Sequence, residues 1–106
     1  MKIYRIPHWA RLWRLRDSEH RGSIDLVVLE NKRGSYGIIE NVFVKEEFRN
    51  QGIASSLIKE AIQIAKEKNL YKITLTCAEE MTSFYLKFGF KWHKDGQSHC
   101  MRINLK

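Results

Sequence analysis

The chain has 106 residues, 43% of them hydrophobic, which suits one small core, and it is read as a single domain over residues 1–106. Six Gly and one Pro leave no linker or low-complexity segment. No apolar run approaches the ~20 residues that span a bilayer, and the basic N-terminus lacks an apolar signal core, so a cytoplasmic protein with no membrane partner is expected.

Taken in order, Lys2 to Ile6 reads as a short strand that Pro7 ends. Ala10 to Arg16 supports two readings. Trp13 and Leu15 alternate with Arg14 and Arg16, as in a strand, while Trp9, Leu12 and Trp13 sit at helical spacing. The polar stretch Asp17 to Ser23, ending in Gly-Ser like a hairpin loop, favours the strand. The formal net charge of +7 is uneven: Lys2, Arg5, Arg11, Arg14, Arg16 and Arg21 against Asp17 and Glu19 give +4 in the first 22 residues. With Trp9 and Trp13 interleaved this resembles a nucleic-acid surface, but a solvated basic face over two core tryptophans is the simpler reading. Nucleic acid is therefore not expected as a partner.

Ile24 to Glu30 is a strand buried on at least one face, and Asn31 to Ser35 is a turn. Tyr36 to Lys45 is a central strand, short, β-branched and aromatic, with Glu40 as the one carboxylate in an apolar run. From about Gly52 to about Lys68 the spacing predicts a helix. Ala54, Leu57, Ile58, Ala61, Ile62 and Ala65 form its apolar stripe, and Asn69 is its C-cap. Lys72 to Cys77 is a strand, Glu79 to Phe88 a short helix that Gly89 stops, and Phe90–Lys94 with Ser98–Leu105 a hairpin around Asp95-Gly96. The order of elements gives an α/β fold with a mixed sheet. Cys77 and Cys100 are expected as thiols, and His8, His20, His93 and His99 have no metal-ligand spacing with them, so no metal is expected. His93 and His99 read as a pair facing each other across the last hairpin.

Between the central strand and the helix lies Arg49-Asn50-Gln51-Gly52-Ile53-Ala54. Gly52 and Ala54 remove bulk where free N–H groups and the helix dipole make an anion site. Arg49-x-x-Gly52-x-Ala54 resembles the acyl-CoA pyrophosphate loop of the GNAT N-acetyltransferase superfamily. A second motif of that family follows about thirty residues on, Phe84-Tyr85-Leu86-Lys87-Phe88-Gly89-Phe90. The resemblance covers roughly Gly22 to Lys106. Within the superfamily, Ile39-Glu40-Asn41-Val42, Tyr71-Lys72-Ile73-Thr74-Leu75-x-Cys77 and Cys100-Met101-Arg102 are most similar to glucosamine-6-phosphate N-acetyltransferases, over the C-terminal two thirds.

The resemblance implies a GNAT fold, a mixed twisted sheet flanked by helices, but lacking most of the N-terminal helical part, because only about one short element fits between Ile6 and Ile24. It implies acetyl-CoA as cosubstrate, in keeping with a basic surface, and a primary amine as acceptor. The coenzyme diphosphate would lie on Arg49, Asn50, Gln51, Gly52, Ile53, Ala54 and Ser55. Its arm would pair with the main chain of Val42, Phe43 and Val44, slotted between the splayed strands Asn41–Val44 and Ile73–Cys77. Glu40 would serve as base and Tyr85 as the acid that protonates the leaving thiolate. Asn41 stands where close relatives carry Asp, and Met81 where some carry Asn. A homodimer exchanging contacts through Ser98–Leu105 is implied as well.

The expected function is an acetyl-CoA-dependent N-acetyltransferase acting by direct attack in a ternary complex, on a glucosamine-6-phosphate-like amine. The alternatives are acetylation of a protein lysine, an N-terminus or a polyamine, and a non-catalytic coenzyme A-binding module.

Overall fold

A computed structural model describes the backbone of residues 2–5, 10–92 and 100–106 and the side chains of 11–92 and 101–106. Strands β1 (Lys2–Arg5), β2 (Ala10–Arg16), β3 (Gly22–Asn31) and β4 (Gly34–Val44) form an antiparallel meander. Helix α1 (Ile53–Glu67) follows, then β5 (Lys72–Thr76), the short helix α2 (Thr82–Leu86), β6 (Lys91–Trp92) and β7 (Cys100–Asn104). The seven strands make one mixed sheet in the order β1-β2-β3-β4-β5-β7-β6, in which only β4 and β5 run parallel.

The segment with two readings, Ala10–Arg16, is a strand lying between β1 and β3. Alternation decided it: Trp13 and Leu15 are buried on the core face while Arg14 and Arg16 stand on the other. Only residues 6–9 separate β1 from β2, too few for a helical crossover, so the N-terminal helices of the family pattern are absent between these strands.

Helix α1 lays Ile53, Leu57, Ile58, Ala61, Ile64 and Ala65 on the sheet; Ala54 and Ile62, expected in that stripe, are only half-buried. Facing it are Trp13 and Leu15 from β2, Ile24 and Leu26 from β3, Ile39 from β4 and Ile73 and Leu75 from β5. Ile58 is fully buried there, so Ile58→Ala would cost roughly 2–5 kcal/mol. The helix ends as Asn69 foretold, one residue later than a C-cap. Asn69 adopts φ 61, its N–H donates to the Lys66 carbonyl at 3.1 Å, and the Leu70 N–H donates to Ala65 at 2.9 Å, closing the last turn. The predicted helix Glu79–Phe88 is shorter than its pattern. Glu79–Met81 forms a 3-10 turn and the α-helical part is Thr82–Leu86.

Among the described residues, Arg11, Arg14 and Arg21 of the basic N-terminal region are engaged. Arg14 pairs with Asp25, Arg21 with Asp17 and Glu19, and Arg11 and Lys68 lie 5.4 and 5.7 Å from the ring of buried Trp13. Hydrogen bonds from Arg21 hold the Asp17 carboxyl at about 2, and Asp17 also accepts from the Glu19 N–H, fixing the β2–β3 loop. At the far end of the sheet, Met101 and Arg102 of β7 pair with β5 on one side and β6 on the other, so the outer edge there belongs to the two residues of β6. Within Ser98–Leu105, the contact segment implied by the resemblance, Met101 and Arg102 are thus already paired on both sides within the chain. Pro7, Trp9, the Asp95-Gly96 turn and the His93–His99 pair lie outside the described residues.

Candidate active site

β4 and β5 are hydrogen-bonded neighbours over only three pairs, Gly37↔Ile73, Ile38↔Thr74 and Ile39↔Leu75. Beyond Ile39 the strands part. The cause is a bulge in β4. Asp25 pairs with Glu40 and Ser23 with Phe43, so the single residue Ile24 faces two, Asn41 and Val42. Asn41 takes φ 53, a left-handed conformation that Asn tolerates better than most residues. The extra residue increases the local twist and swings Asn41–Val44 away from β5.

The conformation at Asn41 is held by its side chain. Asn41 Nδ2 donates to Asp25 Oδ2 at 2.9 Å, and Arg14 Nε and Nη2 donate to Asp25 Oδ1 and Oδ2 at 2.7 and 3.1 Å. Asp25 is only 3% exposed. Burial pushes its carboxyl up, but the hydrogen bonds from Arg14 and Asn41, with the charge of Arg16, outweigh this and leave it below the ordinary carboxylate value. Asp25 and Arg14 were not singled out in the sequence; an Asp inside Ile24-Asp25-Leu26-Val27-Val28 was the available signal.

The parted strands open a cleft of ≈ 890 Å³. Of the expected site residues, Glu40, Val42, Phe43 and Val44 line it from β4, and Arg49, Asn50 and Gly52 from the following loop. Ile53, Ala54 and Ser55 line it from the first turn of α1, and Tyr85 from α2. Gln51 is the exception and does not face the cleft. Asn50 and Gly52 on either side of it both have left-handed φ, 65 and 79, and this curl turns the residue between them aside. The opposite wall adds Leu75, Thr76, Cys77, Met81 and Phe84.

At the loop, no side chain caps the start of α1, and the Gly52 carbonyl accepts the first helical bond, from Ser56 N–H at 3.0 Å. The amides of the first turn are thus left for a ligand, at the positive end of the helix dipole. A Cβ built on Gly52 meets nothing within 4 Å. Packing therefore does not demand glycine here; the left-handed φ does, and the space beside it is open for an anion. The residues present fit a diphosphate.

Glu40 is exposed on the rim, not sunk among apolar neighbours as its sequence context suggests, because the paired neighbours on its face are Asp25 and, beyond it, Arg14. Tyr85 is only 5% exposed, with Phe84 and Phe90 edge-on to its ring at 5.1 and 5.9 Å. Burial, with a smaller contribution from Cys77, pushes its phenol up, so the hydroxyl stays protonated at neutral pH and is a donor at the cleft. Among the described residues no cluster of His, Cys, Asp and Glu is suited to a metal, and no helix is long and apolar enough to cross a membrane.

The acetyltransferase (GNAT) family model matches residues 4–90. A probable glucosamine 6-phosphate N-acetyltransferase 2 of Oryza sativa subsp. japonica is 35% identical over 57 residues, 54% of this chain and 34% of that protein. The glucosamine 6-phosphate N-acetyltransferase of Trypanosoma brucei brucei is 36% identical over 69 residues, 65% of this chain and 44% of the relative. The chain thus spans between a third and a half of these relatives' length. A GNAT family acetyltransferase from Elizabethkingia anophelis, solved with acetyl-CoA bound, superposes with a TM-score of 0.68 at 21% identity, covering 92% of this chain and 78% of that one, which shows a shared fold. A family match across most of the chain, on a sheet that parts at a bulge beside an uncapped helix start, shows that this chain belongs to the GNAT acetyltransferase family.

Proposed function

We propose that the chain is an acetyl-CoA-dependent N-acetyltransferase that moves the acetyl group to a primary amine by direct attack in a ternary complex. The observation that carries this reading is the parting of β4 from β5 directly beside the uncapped, glycine-led start of α1, one continuous cleft with a phosphate end and a main-chain end. In this reading the amides of Gly52, Ile53, Ala54 and Ser55, with Arg49 and Asn50, receive the diphosphate. Main-chain groups of Val42 and Val44 pair with the arm, and an N–H near Val42 or Phe43 polarises the thioester carbonyl. The amine nitrogen attacks that carbonyl carbon, the C–S bond breaks, Tyr85 gives its proton to the departing sulfur, and Glu40 takes the proton the amine loses. Holding both reactants in one cleft supplies much of the rate.

For the acceptor, the named relatives favour a glucosamine-6-phosphate-like amine. One observation favours a second reading, an amine on a polypeptide or a polyamine. Only four residues, 6–9, join β1 to β2, where the family pattern has two helices, and Arg49 is the only Lys or Arg among the described cleft residues, at the coenzyme end. The deciding experiment is acetyl-CoA-dependent release of thiol with glucosamine 6-phosphate, glucosamine, spermidine and a lysine peptide. Turnover of any of them supports the transferase reading, and the fastest identifies the acceptor class. Binding of acetyl-CoA without turnover of any would leave a coenzyme-binding module instead.

A further inference from the structure

Arg14, Asp25 and Glu40 stand side by side on adjacent strands, since Arg14 pairs with Asp25 and Asp25 with Glu40. Asp25 is buried between its neighbours, yet both its carboxylate oxygens are hydrogen-bonded, by two donors from Arg14 and one from Asn41. The Arg14 contact is two-pronged and therefore fixes the plane of the carboxylate, not only its position. Asn41 is the residue with left-handed φ at which β4 leaves its partner β5, and its side-chain amide donates to that fixed carboxylate. A left-handed conformation at a non-glycine residue is unfavourable by itself, and a buried acceptor aimed at the amide compensates for it.

We propose that Asp25, clamped by Arg14, is a positioning residue for the cleft: through Asn41 it holds the β4 bulge in the left-handed turn that directs the main chain of Val42 and Phe43 toward the thioester. This rests on the acetyltransferase reading. Asp25 touches neither substrate. Its effect reaches the reacting carbonyl through the bulge, whereas the diphosphate end of the cleft, on the far side of Val44, is held independently by Arg49 and the start of α1. The two ends are therefore separable by mutation.

The test compares the affinities of acetyl-CoA and of coenzyme A, measured by titration calorimetry on the wild-type chain and four variants. Wild type is expected to prefer acetyl-CoA by roughly three- to tenfold, the worth of one hydrogen bond to the carbonyl. Asn41→Gly keeps access to positive φ and removes the amide. It is expected to lose that preference while holding coenzyme A within about twofold of wild type, because the phosphate end is untouched. Asn41→Asp, which sets two carboxylates against each other, should lose it too. The exchange Asp25→Asn with Asn41→Asp restores one amide-to-carboxylate contact and should recover at least part of it. Arg14→Met should behave like Asn41→Gly, and thermal melting identifies any variant that fails to fold. A preference that persists in both Asn41→Gly and Asn41→Asp overturns the proposal. So does an equal loss of both ligands in Asn41→Gly, which would mean a purely structural role. If wild type binds neither ligand, the acetyltransferase reading falls first and the positioning role with it.

Discussion

Arg49 donates its Nε–H to the main-chain oxygen of Val44 at 3.0 Å, so the loop that precedes α1 is tied to the end of the strand that leaves the sheet. The bond steadies the diphosphate end of the cleft, beyond the bulge. Arg49→Ala should therefore act twice, by removing a cation near the diphosphate and by loosening the loop. At an exposed site the bond itself is worth about 0.5–1.5 kcal/mol, a loss in coenzyme A affinity of roughly two- to twelvefold. Arg49→Lys keeps the charge but cannot reproduce the guanidinium geometry. An affinity for Arg49→Lys equal to wild type would show that charge alone matters and that the tether to Val44 is idle.

Gly52 separates strain from space. Its Cβ position is empty, but φ is 79, so Gly52→Ala pays about 1–2 kcal/mol in backbone strain. Gly52→Asn is better tolerated at that φ and still fills the space in front of the helix start. For wild type, coenzyme A at about 100 times its dissociation constant should add roughly 2.7 kcal/mol to stability. Gly52→Asn should melt near wild type without ligand and show little or no shift with it. A full shift in that variant would remove the phosphate-loop assignment.

Tyr85→Phe deletes one hydroxyl and leaves the ring between Phe84 and Phe90. Loss of a general acid lowers the rate by about 10²–10⁴. The expected result is a fall in kcat on that scale, with acetyl-CoA affinity nearly unchanged. Because burial raises the phenol, the alkaline limb set by this acid in wild type should lie above the ordinary tyrosine value near ~10. A kcat for Tyr85→Phe within a few-fold of wild type would leave Tyr85 as a core residue only.

Glu40→Gln addresses the base. Glu40 is exposed, so the change should move stability by no more than about 0.5 kcal/mol. If Glu40 accepts the amine proton, the loss in kcat should shrink as pH rises toward the amine's own pKa, where free amine forms unaided. A loss confined to KM and constant with pH would instead make Glu40 a binding residue for a cationic acceptor.

Asp25 predicts how the fold responds to acid. Arg14 and Arg16 from β2, with Asn41 and Glu40 from β4, surround it, and its folded pKa lies below the unfolded one. The native state thus binds its proton less readily than the unfolded chain. The stability this supplies is fully present above the ordinary carboxylate value near ~3.9 and disappears as pH falls from there through the folded pKa. The melting temperature of wild type should fall below about pH 4. Asp25→Asn should melt lower at neutral pH and change less over the acid range. Equal acid slopes in the two proteins would assign the effect to other carboxylates, Asp17 among them.

Much of this was legible in the residues. Ile38 to Ala65 declared a strand, a turn and an amphipathic helix, because a short β-branched and aromatic run gives way across Gly52 to an apolar stripe of period 3.6. Tyr85 and the loop residues reached the cleft as the motifs implied. What was hidden depended on partners distant in sequence. Asp25 meets Arg14 from 11 residues away and Asn41 from 16, and nothing local distinguishes a buried, paired Asp from a solvated one. Gln51, which lies between the left-handed residues Asn50 and Gly52, is the one expected loop residue that does not line the cleft. Ala10–Arg16 fitted two patterns, because Trp9, Leu12 and Trp13 satisfy a helical stripe while Trp13 and Leu15 satisfy a strand; the polar loop after it favoured the strand, and the burial of Trp13 and Leu15 agrees.

The parting of β4 from β5 also divides the protein's cooperativity. Among the described residues, three ladder pairs, Gly37–Ile39 with Ile73–Leu75, are the only sheet connection between the meander β1–β4 and the trio β5, β7 and β6. The meander is built from neighbours in sequence and carries much of the surface under α1. The trio must wait for β7 to arrive between β5 and β6. Amide hydrogen exchange should accordingly be slowest in β2, β3 and the first half of β4 and faster in β5 and β7, with the two sets opening as separate units. A ligand bridging the parted strands would fuse those units, so slowed exchange at Ile73 and Thr74, outside the cleft lining, would register occupancy beyond the residues that wall the cleft.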